Sequence, residues 1–276
     1  MSVHPKVSIL MGTWNRAHVI SRAIESIRTQ TFKDWELIIA DDGSTDDTPH
    51  VVHEWQKKEA RIVFIRSKEN QGISKNYNTG LRIARGEYVA MIDDDDPWCD
   101  PKKLEQQIAF LDSHSDHVGC GGGMIVVDQG GREKYRYLKP ETDEQIRSRM
   151  LFSNPMANST TLFRREAGER VGWYDESTRY SGDRDFWLKM GLEGKLYNFP
   201  EYFSYYTMSG ANTSIAKIKP HLQATLTIMK RYKEKYPGYV FALILNTIQY
   251  WYAFLPIFIR EPIHEALARL KRAVAG

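Results

Sequence analysis

Residues 88–101 read YVAMIDDDDPWCDP. Tyr88 to Ile92 form an unbroken apolar run that ends on four consecutive aspartates, Asp93 to Asp96. Such a run, bounded by turn residues, predicts a strand buried on both faces, the type found in parallel sheets covered by helices. Its C-terminal end then holds four mutually repelling carboxylates. A bare turn has no need of them, and they call for compensating positive charge.

Three runs of the same kind precede it: VSILM at 7–11, WELIIA at 35–40 and RIVFIR at 61–66. Between them the spacing becomes helical. Val19, Ile20, Ala23, Ile24 and Ile27 recur at three and four residues, and Val51, Val52 and Trp55 follow Thr48-Pro49, read as an N-cap with proline at the first helical position. Strand–helix alternation predicts right-handed crossovers and an open parallel sheet whose ligands collect at the carboxyl ends of the strands. The loops on that rim are GTWNR, DDGSTDD, SKENQG and DDDD. One polar loop is ordinary; four on one edge predict a binding site.

With 276 residues and 42% apolar content the chain fits one large α/β domain or two small ones. A net charge of +3 supplies no broad field for nucleic acid. Two cysteines, Cys99 and Cys120, make no disulfide framework, and MSVHPKVSILMGTWNR has no basic segment leading a long apolar one. A reducing, cytoplasmic location is expected, with a peripheral site at the cytoplasmic face of the inner membrane as its extension.

Past residue 101 the pattern loosens. Asp100-Pro101 heads a helix carrying Leu104, Ile108 and Leu111, HVGCGGGMIVVD reads as a glycine-interrupted strand, and STTLFRRE as another. Three units are predicted: a strand–helix half over 1–100, a more irregular half over 101–215, and a helical extension over 216–276. At the acid run a hard divalent cation, Mn2+ or Mg2+, would take one or two carboxylates and leave its other positions to water and phosphate. A calcium EF-hand is excluded, because its glycine and glutamate positions are missing.

Four stretches carry a family resemblance. VSILMGTWNR, ELIIADDGSTDDT, ENQGISKNYNTGLRIARGEYVAMIDDDDPW and VGWYDESTRYSGDRDFWLKM resemble, in order and spacing, the motifs of glycosyltransferase family 2. The likeness runs from about residue 5 to about 210. It implies a GT-A fold, a mixed and mostly parallel sheet flanked by helices, with 1–100 as the nucleotide-sugar-binding half and 101–215 as the acceptor-binding and catalytic half, and inverting sugar transfer from a nucleotide-sugar donor. It also implies nucleotide contacts at Thr13, Asn15, Arg16, Asn70, Gly72, Asn78, Asp93 and Asp94, with Asp42 or Asp41 accepting from uracil N3–H. Asp95 is the implied metal ligand, with Asp93 as a second candidate and Asp96 in support. Asp42 in DDGST also reads as an Asx-turn residue.

In the acceptor-side motif the resemblance makes Asp183 the general base, with Asp185 as the alternate. Helix capping by both is the competing reading. Two departures stand out: Gly182 replaces the family's glutamate, and Tyr77 stands where relatives often carry arginine near the diphosphate, with Lys75 or Arg82 as substitutes. Trp173, Asp175 and Trp187 are acceptor candidates, with core packing the alternative for the tryptophans. His221 has no supporting neighbours as a metal ligand.

Residues 239–259, YVFALILNTIQYWYAFLPIFI, carry no formal charge and are flanked by Lys230, Arg231, Lys233 and Lys235 before and Arg260, Arg269, Lys271 and Arg272 after. Peripheral membrane contact through 219–272, a homodimer interface, and core packing are the readings, ahead of a membrane span. The implied acceptor is a saccharide or a lipid-linked glycan in surface polysaccharide or lipopolysaccharide assembly. Two rival functions remain: a nucleotidyltransferase, whose glycine- and basic-rich triphosphate loop GTWNRAH does not provide, and a nucleotide-sugar-binding protein with a degenerate site.

Overall fold

Alternation along the central strands divides their side chains between two cores. In β1 (Val7–Thr13), Val7, Ile9 and Met11 enter one core and Leu10 the other; in β2 (Trp35–Asp41), Leu37 and Ile39 are separated from Ile38 and Ala40 in the same way. Both strands are buried throughout, so neither face can be polar and the sequence reads as an unbroken apolar run. The computed structural model describes residues 4–208 and 217–254.

β3 (Ile62–Arg66) and β4 (Tyr88–Asp93) complete a parallel array in the order β3-β2-β1-β4. On one side α1 (Ile20–Arg28) buries Ile20, Ala23, Ile24 and Ile27, and α2 (Thr48–Lys58) buries Val52. On the other, α3 (Ile73–Leu81) buries Tyr77 and Leu81. α2 starts at Thr48 itself, so Asp47 takes the cap position that the sequence suggested for Thr48.

The second half adds α4 (Lys103–Ser113), β5 (His117–Val127), β6 (Glu133–Tyr137), α5 (Asp143–Arg149), β7 (Leu162–Arg164), α6 (Arg165–Arg170), α7 (Gly182–Glu193) and β8 (Lys195–Thr207). β7 lies antiparallel between β4 and β5, β6 pairs antiparallel with β5, and β8 pairs parallel with β5. Eight strands thus form one sheet, which both halves of the sequence share. The STTLFRRE strand shrinks to three residues, because Asn158–Thr160 ahead of it winds into a tight helical turn.

α8 (Ile218–Arg231) and α9 (Tyr239–Tyr252) pack as a hairpin, with Ile228, Met229, Tyr236 and Ala242 joining the core that holds α7. Among the described residues no helix is long and apolar enough to cross a membrane. Residues 255–276, with Arg260, Arg269, Lys271 and Arg272, lie outside the described residues, as do 209–216.

Candidate active site

Strand register assembles the rim. Gly12 pairs with Asp93 and Thr13 with Asp41, so the carboxyl ends of β1, β2 and β4 bring their loops to one edge. The four aspartates there take four different environments. Asp93 turns inward: Oδ1 accepts from Tyr77 Oη at 2.6 Å and Asn158 Nδ2 at 3.0 Å, and Oδ2 accepts from Ser159 Oγ at 2.7 Å. Tyr77 reaches it by crossing Gly12, where a Cβ would stand 2.6 Å from the tyrosine ring. Asp96 is buried and accepts from Thr207 N at 3.2 Å and Ser159 Oγ at 3.3 Å. Asp94, also buried, has Arg16 Nε 3.5 Å away. Asp95 faces outward with 24% of its side chain exposed; Arg16 Nη2 stands 3.9 Å away, and no other described residue donates a hydrogen bond to it.

Burial and mutual repulsion push these acids up. Asp94 rises to about 8, through burial first and the neighbouring Asp95 second, with Thr13 and Arg16 opposing. Asp95 and Asp96 are raised by burial and then by Asp93. The Thr13 hydroxyl is buried beside this group without a fully formed hydrogen bond. Arg16 is the cation the chain brings to this corner, and a divalent ion at Asp95 would add positive charge there. Among the described residues no three potential ligand side chains converge on a metal position. Asp93, expected as a second ligand and a nucleotide contact, receives three inward donors, two on Oδ1 and one on Oδ2.

Several residues expected at the nucleotide hold the loops instead. Asp41 accepts from Ser44 N at 3.0 Å and pairs with Arg66 Nε at 3.2 Å. Asp42 takes the backbone N–H groups of Gln71 and Gly72, at 2.8 and 2.9 Å, one on each oxygen. That clamp ties the β2 loop to the start of α3, where Gly72 adopts φ 95°. Asn15, in left-handed conformation at φ 56°, stitches the first loop to the second through Thr45 N at 2.8 Å. Arg16 faces Asp94 and Asp95, and Asn70 is exposed on the rim. Asn78 departs from expectation: it is buried away from the rim and bonds both the N–H and the C=O of Tyr174, at 3.0 and 2.9 Å.

The second acid centre lies across Tyr174. Asp183, partly exposed in the first turn of α7, accepts from Asn154 Nδ2 at 2.8 Å. Tyr174 is buried, its hydroxyl donates to Asn158 Oδ1 at 3.4 Å, and burial first, then the Asp183 and Asp93 charges, push its phenol well above its usual range. Asp185 cannot replace Asp183: it is 1% exposed, accepts from Tyr232 Oη at 3.0 Å and serves to hold α8. Gly182 packs on α3, where a Cβ would meet Ser74 Oγ at 2.5 Å. The residue before it, Ser181, is left-handed at φ 57° and contacts His221 Nδ1 at 3.2 Å.

On the acceptor side, Trp187 is 0% exposed and edge-on to Phe163 and Phe186, so no sugar can reach it. Asp175 holds Ser177 N at 2.9 Å and Arg231 Nη1 at 2.6 Å, a tie between the turn and α8 in place of an acceptor contact. Trp173 is partly buried against Gly168. Arg82 pairs with Glu176 at 2.6 Å while its side chain stays largely exposed. Sequence reasoning missed Tyr77 as a partner of Asp93, together with Asn158, Ser159 and Asn154. The last three lie in the polar run SNPMANST, which carries no periodicity that would aim them at the rim.

Residues 8–172 match the model of glycosyl transferase family 2. The chain belongs to that family. An uncharacterized family relative from Haemophilus influenzae, itself called a glycosyltransferase, is 31% identical over 220 residues, covering 76% of this chain and 68% of the relative. The GalNAc(5)-diNAcBac-PP-undecaprenol beta-1,3-glucosyltransferase of Campylobacter jejuni is 46% identical over 198 residues, 70% of this chain and 62% of that enzyme. Among solved structures, S. aureus TarS 1-349 in complex with UDP-GlcNAc aligns with a TM-score of 0.69 at 18% identity over 91% of this chain and 76% of that one. The mannosyltransferase PcManGT of Pyrobaculum calidifontis, in complex with GDP-Man and Mn2+, aligns at 0.65 with 19% identity, covering 100% of this chain and 77% of that one. These structural likenesses establish the GT-A fold. This glycosyl transferase family 2 chain is a glycosyltransferase.

Proposed function

We propose that the enzyme moves a sugar, with inversion at the anomeric carbon, from a UDP-linked donor to a hydroxyl of a saccharide or lipid-linked acceptor in surface polysaccharide or lipopolysaccharide assembly. One observation carries this reading: Asp95, partly exposed beside Arg16 on the rim acid cluster, and Asp183, partly exposed with one oxygen held by Asn154, are the two carboxylates that fit a donor side and an acceptor side. Asp95 would hold Mn2+ or Mg2+, which when bound supplies positive charge to a diphosphate leaving group. Arg16, facing Asp94 and Asp95, adds a second cation on the same rim.

Asp183 acts as general base. The acceptor oxygen attacks the anomeric carbon, its proton passes to an Asp183 oxygen, and the bond from that carbon to the diphosphate oxygen breaks to release the nucleoside diphosphate. Asn154 donates to Oδ2 and leaves Oδ1 for the acceptor. Fold neighbours hold UDP-GlcNAc in TarS and GDP-Man in PcManGT, which supports a nucleotide-sugar donor with the base left to the test below, and the acceptor class draws support from the undecaprenol-linked substrate named for the Campylobacter relative.

A melting-temperature panel of UDP, GDP and ADP with and without Mn2+ tests the reading, since a ligand of the native state raises its melting point by mass action. UDP with Mn2+ should give the largest rise. No rise with any nucleoside diphosphate would remove the proposal.

A further inference from the structure

α9 presents an apolar face that nothing in the described chain covers. Val240, Phe241, Ile244, Ile248, Trp251 and Phe254 are 48–69% exposed. At 100° per residue they fall within one arc of roughly 140°, a continuous stripe along the helix. The opposite side carries the buried Ala242 and Asn246 that seat α9 on the core. Solvent-exposed apolar stripes of this size mark interaction surfaces.

The surrounding charge selects the occupant. From 217 to 254 there are six lysines and arginines against one glutamate, Glu234, and no charge at all from Tyr236 to Phe254. Cations border both ends of the stripe. Lys233 and Lys235 lie at the hairpin turn before Val240, and Lys219 stands over the Phe254 ring at 4.1 Å. An apolar helix face framed by lysines, with Trp251 near its end, matches an interfacial helix on anionic lipid; a homodimer across the same face would bring like charges together.

The position of the stripe gives this meaning. Its Phe254 end touches Lys219 at the start of α8; two residues on, His221 contacts Ser181 at 3.2 Å, two residues before Asp183. At its other end Phe241 packs on Phe152, at a ring distance of 5.8 Å, two residues before the Asn154 that grips Asp183. We infer that the outward face of α9 docks on an anionic membrane surface, placing the Asp183 side of the enzyme next to a lipid-carried acceptor. The docking stands on the surface alone; its link to the acceptor rests on the proposed function.

Flotation of the full chain on phosphatidylglycerol-containing vesicles and on phosphatidylcholine vesicles tests it without donor or acceptor, so its failure and that of the sugar-transfer reading are separable. The wild type should float on the anionic vesicles and lose partition as salt rises. Ile244→Glu with Ile248→Glu should abolish flotation, and Lys233→Glu with Lys235→Glu should lower it by roughly tenfold or more. The lysine pair, exposed on the surface, guards against a folding defect in the first variant, and an unchanged melting temperature and circular dichroism spectrum check both. Three results would overturn the inference: no flotation of the wild type, equal flotation on neutral vesicles, or a solution dimer that Ile244→Glu with Ile248→Glu turns into monomer without any loss of lipid binding.

Discussion

The Tyr77 hydroxyl donates a 2.6 Å hydrogen bond to Asp93 Oδ1 beneath the acid cluster. Burial first, and the Asp93 charge second, push this phenol well above its usual range, so it stays protonated and remains a donor. Tyr77→Phe leaves Asp93 with Asn158 and Ser159 alone and should cost about 1.5–3 kcal/mol, the range for a hydrogen bond to a charged group. Urea midpoints of the two proteins measure it. An unchanged midpoint would mean the bond adds nothing to the rim.

Asp183 and Asp95 should separate by phenotype. Asp183→Asn keeps the size of the side chain and its place beside Asn154 but cannot take a proton. Transfer should fall by roughly 100-fold or more while the melting shift with UDP and Mn2+ is retained. Asp95→Ala should remove the Mn2+-dependent part of that shift. Turnover assays paired with melting curves read both, and normal turnover in Asp183→Asn would strip Asp183 of its role.

Asp185→Asn belongs to another class. Its carboxylate is buried against Tyr232, with Arg231 3.6 Å away, so the loss should appear as stability of the α7–α8 packing, roughly 1–3 kcal/mol. Turnover per folded molecule should be far less affected than in Asp183→Asn.

Gly182 and Ser74 form a pair that a double-mutant cycle resolves. Gly182→Ala drives a Cβ into Ser74 Oγ, which must then give up its 3.0 Å bond to Thr178 O. The cost should be about 1 kcal/mol or more in the wild type and smaller with Ser74→Ala, a coupling on the order of 1 kcal/mol by chemical denaturation. The glutamate of relatives needs more room still, so the departure from the family pattern belongs to the contact between α3 and α7.

Lys103 sets a pH dependence. It is fully buried over the Trp98 ring at 4.1 Å, bonds Gln107 Oε1 at 2.8 Å, and burial lowers it to about 7 from an ordinary 10.5. Below 7 both folded and unfolded chains carry the proton and the folded state bears the full cost of a buried charge. Between 7 and 10.5 the unfolded chain binds the extra proton, so this contribution to stability rises with pH by about 1.4 kcal/mol per unit. Lys103→Met should flatten that rise relative to wild type, as read from urea midpoints at pH 7 and 9.

The strands show how much was legible in the linear chain. VSILM, WELIIA and YVAMI must be buried on both faces to be apolar without alternation, and that property alone demands helices on both sides of a parallel sheet. The acids at the ends of those strands were therefore assignable to one rim before any coordinates. Antiparallel β7, three residues long, carried too little pattern to be placed, and its pairing between β4 and β5 depends on contacts far apart in sequence.

Chain order also determined which residue types reach the rim, because strand register is set by hydrophobic pattern and the loops follow from it. What only tertiary structure decided is which carboxylate points where. Asp93 and Asp95 are two residues apart at the end of β4, yet one is bound by Tyr77, Asn158 and Ser159 from distant elements and the other stands partly exposed beside Arg16. Asp183 and Asp185 divide in the same way, one beside Asn154 and one under Tyr232. A side chain's orientation depends on the donors that surround it, and those donors come from parts of the chain that only folding brings together.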